Sequence, residues 1–135
     1  MAERSRAWSE SLALIEEQHE GLQAATSRFL DAAGQHRGQG ELYDCLDDLL
    51  SNLEKHFISE EQIMSRVGYA GLHAHRLLHQ ACLDQLRGEK EHLALGQLRS
   101  RSVYEEMFRT WITDHLHTQD RRFIDFLDRA EDATP

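Results

Sequence analysis

Histidines and acidic residues occupy positions in this chain where the helical apolar pattern calls for leucine. Apolar residues recur at intervals of three, four and seven, the spacing of one face of an α-helix. On such faces His56 pairs with Glu60 and His75 pairs with His79, each four residues apart and thus on one side of a helix. A polar group buried there must be paired or bound to something. The pattern therefore predicts buried polar groups from several helices that share one partner.

The rest of the sequence also favours helices. The single proline is Pro135, so no earlier residue breaks a helix by lacking an N–H. Leu, Ala, Glu, Gln and Arg dominate, while alternating runs of β-branched residues are missing. Glycines predict loops at residues 34–40 and 68–71, and a third loop is predicted around residues 88–102.

These loops separate four predicted helices and a short helical tail. In chain order they cover residues 11–33, 41–66, 72–87, 101–117 and 121–130. Because short connections make neighbouring helices antiparallel, the predicted fold is all-α: an antiparallel up-down-up-down four-helix bundle with a short C-terminal helical segment. We predict a single domain over residues 1–135, a length that can bury a core.

The charge balance and the cysteines narrow the classes of partner and compartment. Lys plus Arg number 15 against 24 Asp plus Glu, a net charge of −9, so we expect no nucleic acid and no membrane surface as partners. No stretch is apolar and long enough to cross a bilayer, and the N-terminal residues lack a signal-peptide pattern. Cys45 and Cys82 lack CxxC spacing, which indicates reduced thiols and a cytoplasmic location.

Seven residues form the candidate metal-ligand set. They are His19, His56, Glu60, His75, His79, His115 and Asp120. Five imidazoles and two carboxylates are too many for one tetrahedral ion. They suit two adjacent ions with carboxylate bridges, and iron is a reasonable metal for this mixture. The remaining histidines are predicted to lie at the surface or the rim: His36, His73, His92 and His117.

The last two candidates are five residues apart, which a regular helix does not accommodate. At 3.6 residues per turn, Asp120 would rotate well off the face of His115. We therefore predict that the backbone loosens or bulges near residues 116–119 so that both side chains reach one site. A regular α-helix through Asp120 would count against this prediction.

The ordered set of seven residues resembles the hemerythrin family, including its single-domain bacterial members. The resemblance covers about residues 8–126. Flanking residues agree as well, among them His56-Phe57, Glu60-Glu61, Gly68-Tyr69 and Trp111-Ile112. The departures are small and touch no candidate ligand: the segment before the first histidine is short, and Glu16 stands where the family often has aspartate.

The resemblance implies reversible dioxygen binding for storage, delivery or sensing. It implies two non-heme iron ions (Fe2+/Fe3+) joined by a bridging oxo or hydroxo group. By analogy, one iron is bound by His75, His79 and His115. The other iron is bound by His19 and His56 and keeps one open position, while the two carboxylates bridge both ions. Large apolar neighbours of the ligands are expected to line the dioxygen pocket and exclude water: Leu22, Phe57, Trp111, Ile112 and Leu116.

Other functions stay open at this point. One is an oxygen- or redox-sensing input domain of a longer signalling protein with an output domain; another is weak di-iron peroxidase or nitric-oxide chemistry. Ferritin-like oxidases use Glu-x-x-His pairs as metal ligands, and no such pair occurs among the seven candidate ligands, so we predict a binding protein and not an enzyme. A helical interaction module that takes up zinc or no metal is a further alternative, and it predicts a colourless protein whose folding survives His75→Ala.

Overall fold

The computed structural model describes the backbone of residues 2–132 and the side chains of residues 10, 13–112 and 118–129. All regular secondary structure in this part of the chain is helical, as predicted. The elements are α1 (Ala2–Gly34), α2 (Gln39–Val67), α3 (Leu72–Ala94), α4 (Arg101–Phe108), a π-helical segment (Arg109–Leu116) and α5 (His117–Asp132). None of the helices within these bounds combines the length and the hydropathy needed to cross a membrane.

Two predicted loops are shorter in the structure than expected. The first spans only residues 35–38, since α1 runs through Gly34 and Gly40 already belongs to α2. The predicted end of the third helix at residue 87 is wrong, because α3 continues to Ala94. Gly88 is tolerated inside the helix: good helix formers follow it, and Leu93 anchors the extra turns by being fully buried. The helix ends before Gly96, whose φ of 80° suits glycine.

A departure from α-helical geometry is found, but earlier in the chain than predicted. The π-helical segment covers Arg109–Leu116, and α5 is regular from His117 through Asp120. The predicted position at residues 116–119 is therefore wrong. The wider π-helical turns before His117 rotate the residues that follow, relative to their positions in an uninterrupted α-helix. A regular α5 can therefore still direct Asp120 into the bundle. The predicted tail at 121–130 is not separate either, because residues 101–132 are helical throughout.

The helices pack in sequence order, α1 on α2 and α2 on α3, while α4 and α5 contact α1 and the π-helical segment contacts α3. Contacts between α1 and α2 run in opposite chain directions: Gln18 bonds to Ser59, and ten residues later Arg28 bonds to Asp48. The loops are short enough to produce this arrangement.

Buried apolar residues form two clusters with a polar layer between them. The larger cluster contains Leu22, Leu53 and Phe57 among its members, and the smaller one contains Ile15 and Ile63. Along α1 His19 falls between Ile15 of the smaller cluster and Leu22 of the larger one, and along α2 Glu60 falls between Ile63 and Phe57 in the same way. Burial of the apolar clusters, at about 25 cal/mol per Å², stabilises the bundle and fixes the height of the polar layer.

Candidate metal centre

Six of the seven candidate ligands meet in the polar layer. Their donor atoms form two overlapping groups, His19, His56, Glu60 and Asp120, and Glu60, His75, His79 and Asp120. Within each group, one donor atom from every residue lies within 4.8 Å of all the others. Five of the six residues are buried, and His19 is half-buried. The seventh candidate, His115, has a side chain that lies outside the described residues, although its backbone belongs to the π-helical segment.

The Glu60 carboxylate divides its two oxygens between histidines of different helices. Its Oε2 lies 3.1 Å from Nε2 of His56 on α2. Its Oε1 lies 2.7 Å from Nε2 of His75 and 3.3 Å from Nε2 of His79, both on α3. Glu60 therefore stands between an α2 donor on one side and a pair of α3 donors on the other.

Asp120 on α5 divides its oxygens in the same way. Its Oδ2 lies 2.7 Å from Nε2 of His19 and 3.3 Å from Nε2 of His56. Its Oδ1 lies 3.2 Å from Nε2 of His75. Each carboxylate thus has one oxygen toward the α1–α2 histidines and one toward the α3 histidines.

The centre contains buried polar atoms that the described residues do not satisfy. Glu60 is 0% exposed, yet neither of its oxygens makes a hydrogen bond, and neither does Nε2 of His79. These atoms are close together but lie outside hydrogen-bonding directions. A buried carboxylate without such bonds is costly unless a cation accompanies it. Imidazole nitrogens with carboxylate oxygens are a suitable donor set for a transition metal, so the residues fit a bound metal.

The close approach of carboxylates and imidazoles changes the pKa values of both. Burial alone lowers the pKa of His56 and His75, but the neighbouring carboxylates outweigh burial and raise both pKa values to about 9. Burial likewise raises the pKa of Glu60 and Asp120, and the facing histidines outweigh it, so both pKa values fall below the usual range. Without metal, protons are therefore favoured on His56 and His75, and a cation that binds there must displace them.

Comparison with known proteins identifies the family of the chain. A family model described as the hemerythrin HHE cation binding domain matches residues 10–127. The chain belongs to the hemerythrin family. It is 22% identical to a myohemerythrin from Theromyzon tessulatum over 109 residues, which cover 81% of this chain and 79% of that protein. No solved structure gave a significant match. The family match confirms the resemblance noted in the sequence and assigns cation binding to this domain.

In this hemerythrin-family chain, a neutral side chain bonds to the ring nitrogen of His56 that faces away from the centre. Its Nδ1 donates to Oε1 of Gln18 on α1 at 3.0 Å. The amide nitrogen of Gln18 in turn donates to Oγ of Ser59 at 3.0 Å, which fixes the orientation of the amide. The hydrogen bond at Nδ1 turns Nε2 toward the carboxylates.

His79 is held from behind by a charged side chain. Its Nδ1 donates to Oε2 of Glu61 at 3.0 Å, and Nε of Arg76 donates to Oε1 of the same carboxylate at 2.9 Å. The Phe57 ring stacks on the imidazole, with centroids 3.8 Å apart and planes at 6°. Sequence reasoning did not single out Gln18 or a role for Glu61, since each adjoins a candidate ligand and follows no periodic pattern of its own.

Four of the five predicted pocket residues lie in or against the larger apolar cluster. Leu22 and Phe57 are buried members, and Trp111 and Ile112 are half-buried and pack against it. The side chain of Leu116 lies outside the described residues.

Among the four remaining histidines, His36 and His73 are exposed, as predicted. His92 is half-buried near the end of α3, where its Nδ1 lies 3.2 Å from Nη2 of Arg99. The side chain of His117 is not among those described.

Proposed function

We propose that this chain binds dioxygen reversibly at a di-iron centre. The observation that carries the proposal is the division of both buried carboxylates, each with one oxygen toward the α1–α2 histidines and one toward the α3 histidines. Two ions placed on the two sides could share both carboxylates. The cation-binding family and the myohemerythrin relative support a metal centre of this kind.

We assign seven residues as iron ligands: His19, His56, Glu60, His75, His79, His115 and Asp120. In this assignment His75, His79 and His115 would hold one iron and His19 and His56 would hold the other, which would have fewer protein ligands and room for dioxygen. Glu60 and Asp120 would be available to both. When bound, the two irons supply the electrons for dioxygen capture. Five nitrogen donors and one open position favour binding over catalysis, so we propose a binding protein and not an enzyme.

The chain's own contribution is a fixed geometry and a dry surrounding. Leu22 is 4% exposed and Phe57 is 2% exposed, and both belong to the cluster above the centre. We infer that these side chains, with Trp111, Ile112 and Leu116, exclude water from the open position. Exclusion of water and protons would slow the autoxidation of reduced metals at this centre.

We further infer that the helices form the up-down-up-down bundle predicted from the sequence, as one domain. The opposed contact order of α1 and α2 supports this topology, and so does that of α2 and α3, where Glu61 bonds to Arg76 and Glu54 bonds to Arg87. Such a bundle lets four helices contribute ligands at one height.

The test is metal content and the visible spectrum of the chain made with ample iron, cycled between anaerobic reduction and air. The parent should hold two irons per chain and take up dioxygen reversibly, with absorption bands that bleach on reduction. His75→Ala should lose iron because it removes a ligand. His73→Ala is the matched control, two residues away on the same helix but exposed, and it should retain both irons.

Each other outcome points to a different function. A colourless parent that holds zinc or no metal would contradict the di-iron centre and favour a helical interaction module. Iron that oxidises in air without reversible uptake would favour a redox or sensing role.

A further inference from the structure

We propose that Glu61 and Gln18 are positioning residues that make the two sides of the metal centre unequal in metal affinity. This inference rests on the proposed di-iron centre and deepens it. Glu61 stands behind His79 and Gln18 stands behind His56, each at 3.0 Å from the ring nitrogen that faces away from the centre. The two imidazoles thus receive the same type of support from side chains of different charge.

Glu61 is well placed to act through His79. Its carboxylate is held by Arg76, which bonds to one oxygen and leaves the other for the imidazole. The side chain of Glu61 is 24% exposed, whereas that of His79 is 2% exposed. Arg76 is 55% exposed, so solvent screens much of its opposing charge. Stacking on Phe57 keeps the imidazole plane in place. His79 therefore has a fixed ring and an anionic acceptor behind it.

Gln18 supports His56 with no charge. The Ser59 hydroxyl takes the hydrogen bond from the amide nitrogen, which leaves the amide oxygen as the group that faces the imidazole. This arrangement sets the same ring orientation as on the other side, but the acceptor is neutral.

The difference in charge has a direct consequence for metal binding. An ionised acceptor forms a stronger hydrogen bond to an imidazole N–H than a neutral one does, and it makes the opposite ring nitrogen more basic. His79 should therefore be a stronger donor to a metal than His56. Loss of such a hydrogen-bond partner typically lowers metal affinity by about 10- to 100-fold. We expect the ion on the α3 side to bind first and the ion on the α1–α2 side to bind second.

The experiment is a titration of the metal-free full chain with Co2+, whose absorption reports each binding step without any need for dioxygen. Glu61→Gln should weaken the tighter step by about 10-fold and leave the weaker step in place. Glu54→Gln is the matched control, because Glu54 lies seven residues earlier on α2 and pairs with Arg87 at 2.9 Å as Glu61 pairs with Arg76. Glu54 contacts no candidate ligand in the described contacts, so its variant should titrate like the parent.

In a second variant, Gln18→Glu, we expect a gain in metal affinity. Misfolding would lower the affinity, so the two results cannot be confused. A carboxylate behind His56 should tighten the weaker step by about 10-fold and bring the two steps closer together. The Ser59 hydroxyl can donate to that carboxylate, so the local hydrogen bonds are retained.

The outcomes separate this inference from the proposed function. Unchanged steps in both variants, or equal weakening of both steps in Glu61→Gln, would overturn the inference. Absence of Co2+ binding by the parent would overturn the inference and the metal-ligand assignment together. If the steps shift as expected but the iron-loaded chain takes up no dioxygen reversibly, the inference holds and the dioxygen function fails.

Discussion

Glu60 and Glu89 are both buried in this bundle, and the chain surrounds them differently. Glu89 on α3 is 4% exposed and accepts a hydrogen bond of 2.7 Å from Nε of Arg99, in the loop before α4. Glu60 on α2 is 0% exposed and accepts no hydrogen bond from the described residues, although histidine nitrogens lie 2.7–3.3 Å away. One carboxylate has a permanent cation from the chain, and the other faces groups that can lose their protons.

This difference gives the two carboxylates different roles. The partner of Glu89 is permanent, whereas the protons that face Glu60 can be exchanged for a metal ion. Arginine stays protonated at every working pH, so the Glu89–Arg99 pair persists and pins the last loop to α3. The histidines around Glu60 can release their protons to solvent when a metal ion binds and still keep their positions. A buried acid is therefore informative about function only when the identity of its partner is known.

The largest expected effect is the loss of metal in Glu60→Gln. The substitution keeps the size of the side chain but removes the charge and replaces one oxygen of the carboxylate that the two sides share. We expect metal affinity to fall by about 100-fold or more, beyond the range for a supporting residue. Iron per chain after dialysis against a chelator measures the effect.

Glu89→Gln is the control for that substitution, because it removes an equally buried charge far from the candidate ligands. It should retain the iron of the parent. Iron loss of the same size in both variants would show that general destabilisation, and not a ligand role for Glu60, explains the result.

A further expected effect is the pH dependence of metal binding. The metal-free chain keeps His56 and His75 protonated up to about pH 9, so metal must displace protons at neutral pH. Apparent affinity should rise by up to about tenfold per pH unit for each displaced proton, up to about pH 9. Proton release in weak buffer on addition of Zn2+ measures this directly, and uptake of metal without proton release would contradict it.

The same pKa shifts set the pH dependence of the metal-free fold. His56 and His75 have pKa values raised from 6.5 to about 9, so their contribution is complete below about pH 6.5 and is lost as pH rises through about 9. Glu60 and Asp120 have lowered pKa values, so their contribution is present above the usual carboxyl pKa and is lost as pH falls below it. The free energy of unfolding of the metal-free chain should therefore decline from neutral to alkaline pH.

The sequence alone was sufficient to predict the convergence of most candidate ligands. His56 and Glu60 replace leucine on an apolar stripe, and a stripe must face the core wherever the helix packs. The phase of each stripe therefore predicts which side chains point inward without any knowledge of the loops. The same reasoning predicted an all-helical chain.

Features that depend on contacts between helices could not be predicted in this way. Gln18 and Glu61 act through the far side of an imidazole, and neither occupies a core position of its own helix. Glu89 was missed because Gly88 was interpreted as a helix end, which removed the following turns from the predicted core. A loosened or bulged backbone was expected near residues 116–119 because His115 and Asp120 are five apart, but spacing alone does not say where the wider turns lie.

The smallest expected effect is the loss of stability in Arg99→Met, which leaves the Glu89 carboxylate buried without its cation. Because the Arg99 side chain is 38% exposed, solvent screens the pair, and we expect only a small loss in the free energy of unfolding. The loss should still exceed that of a pair exposed on both sides, because Glu89 is buried. Urea unfolding of metal-free and metal-loaded protein measures it. The loss should be equal in both forms, because the pair does not depend on metal.

Arg87→Met provides the matched control for this last prediction. Arg87 pairs with Glu54, and both side chains are about half exposed, at 47% and 45%, so its removal should cost about 0–0.5 kcal/mol. Equal losses of unfolding free energy in the two arginine variants would mean that leaving the buried Glu89 carboxylate without its arginine costs little stability. A loss of unfolding free energy in Arg99→Met that appears only in the metal-free form would instead show that the contributions of Glu60 and Glu89 to stability are coupled through the bundle. The distinction between a carboxylate with a permanent partner and one with exchangeable partners would then be incomplete.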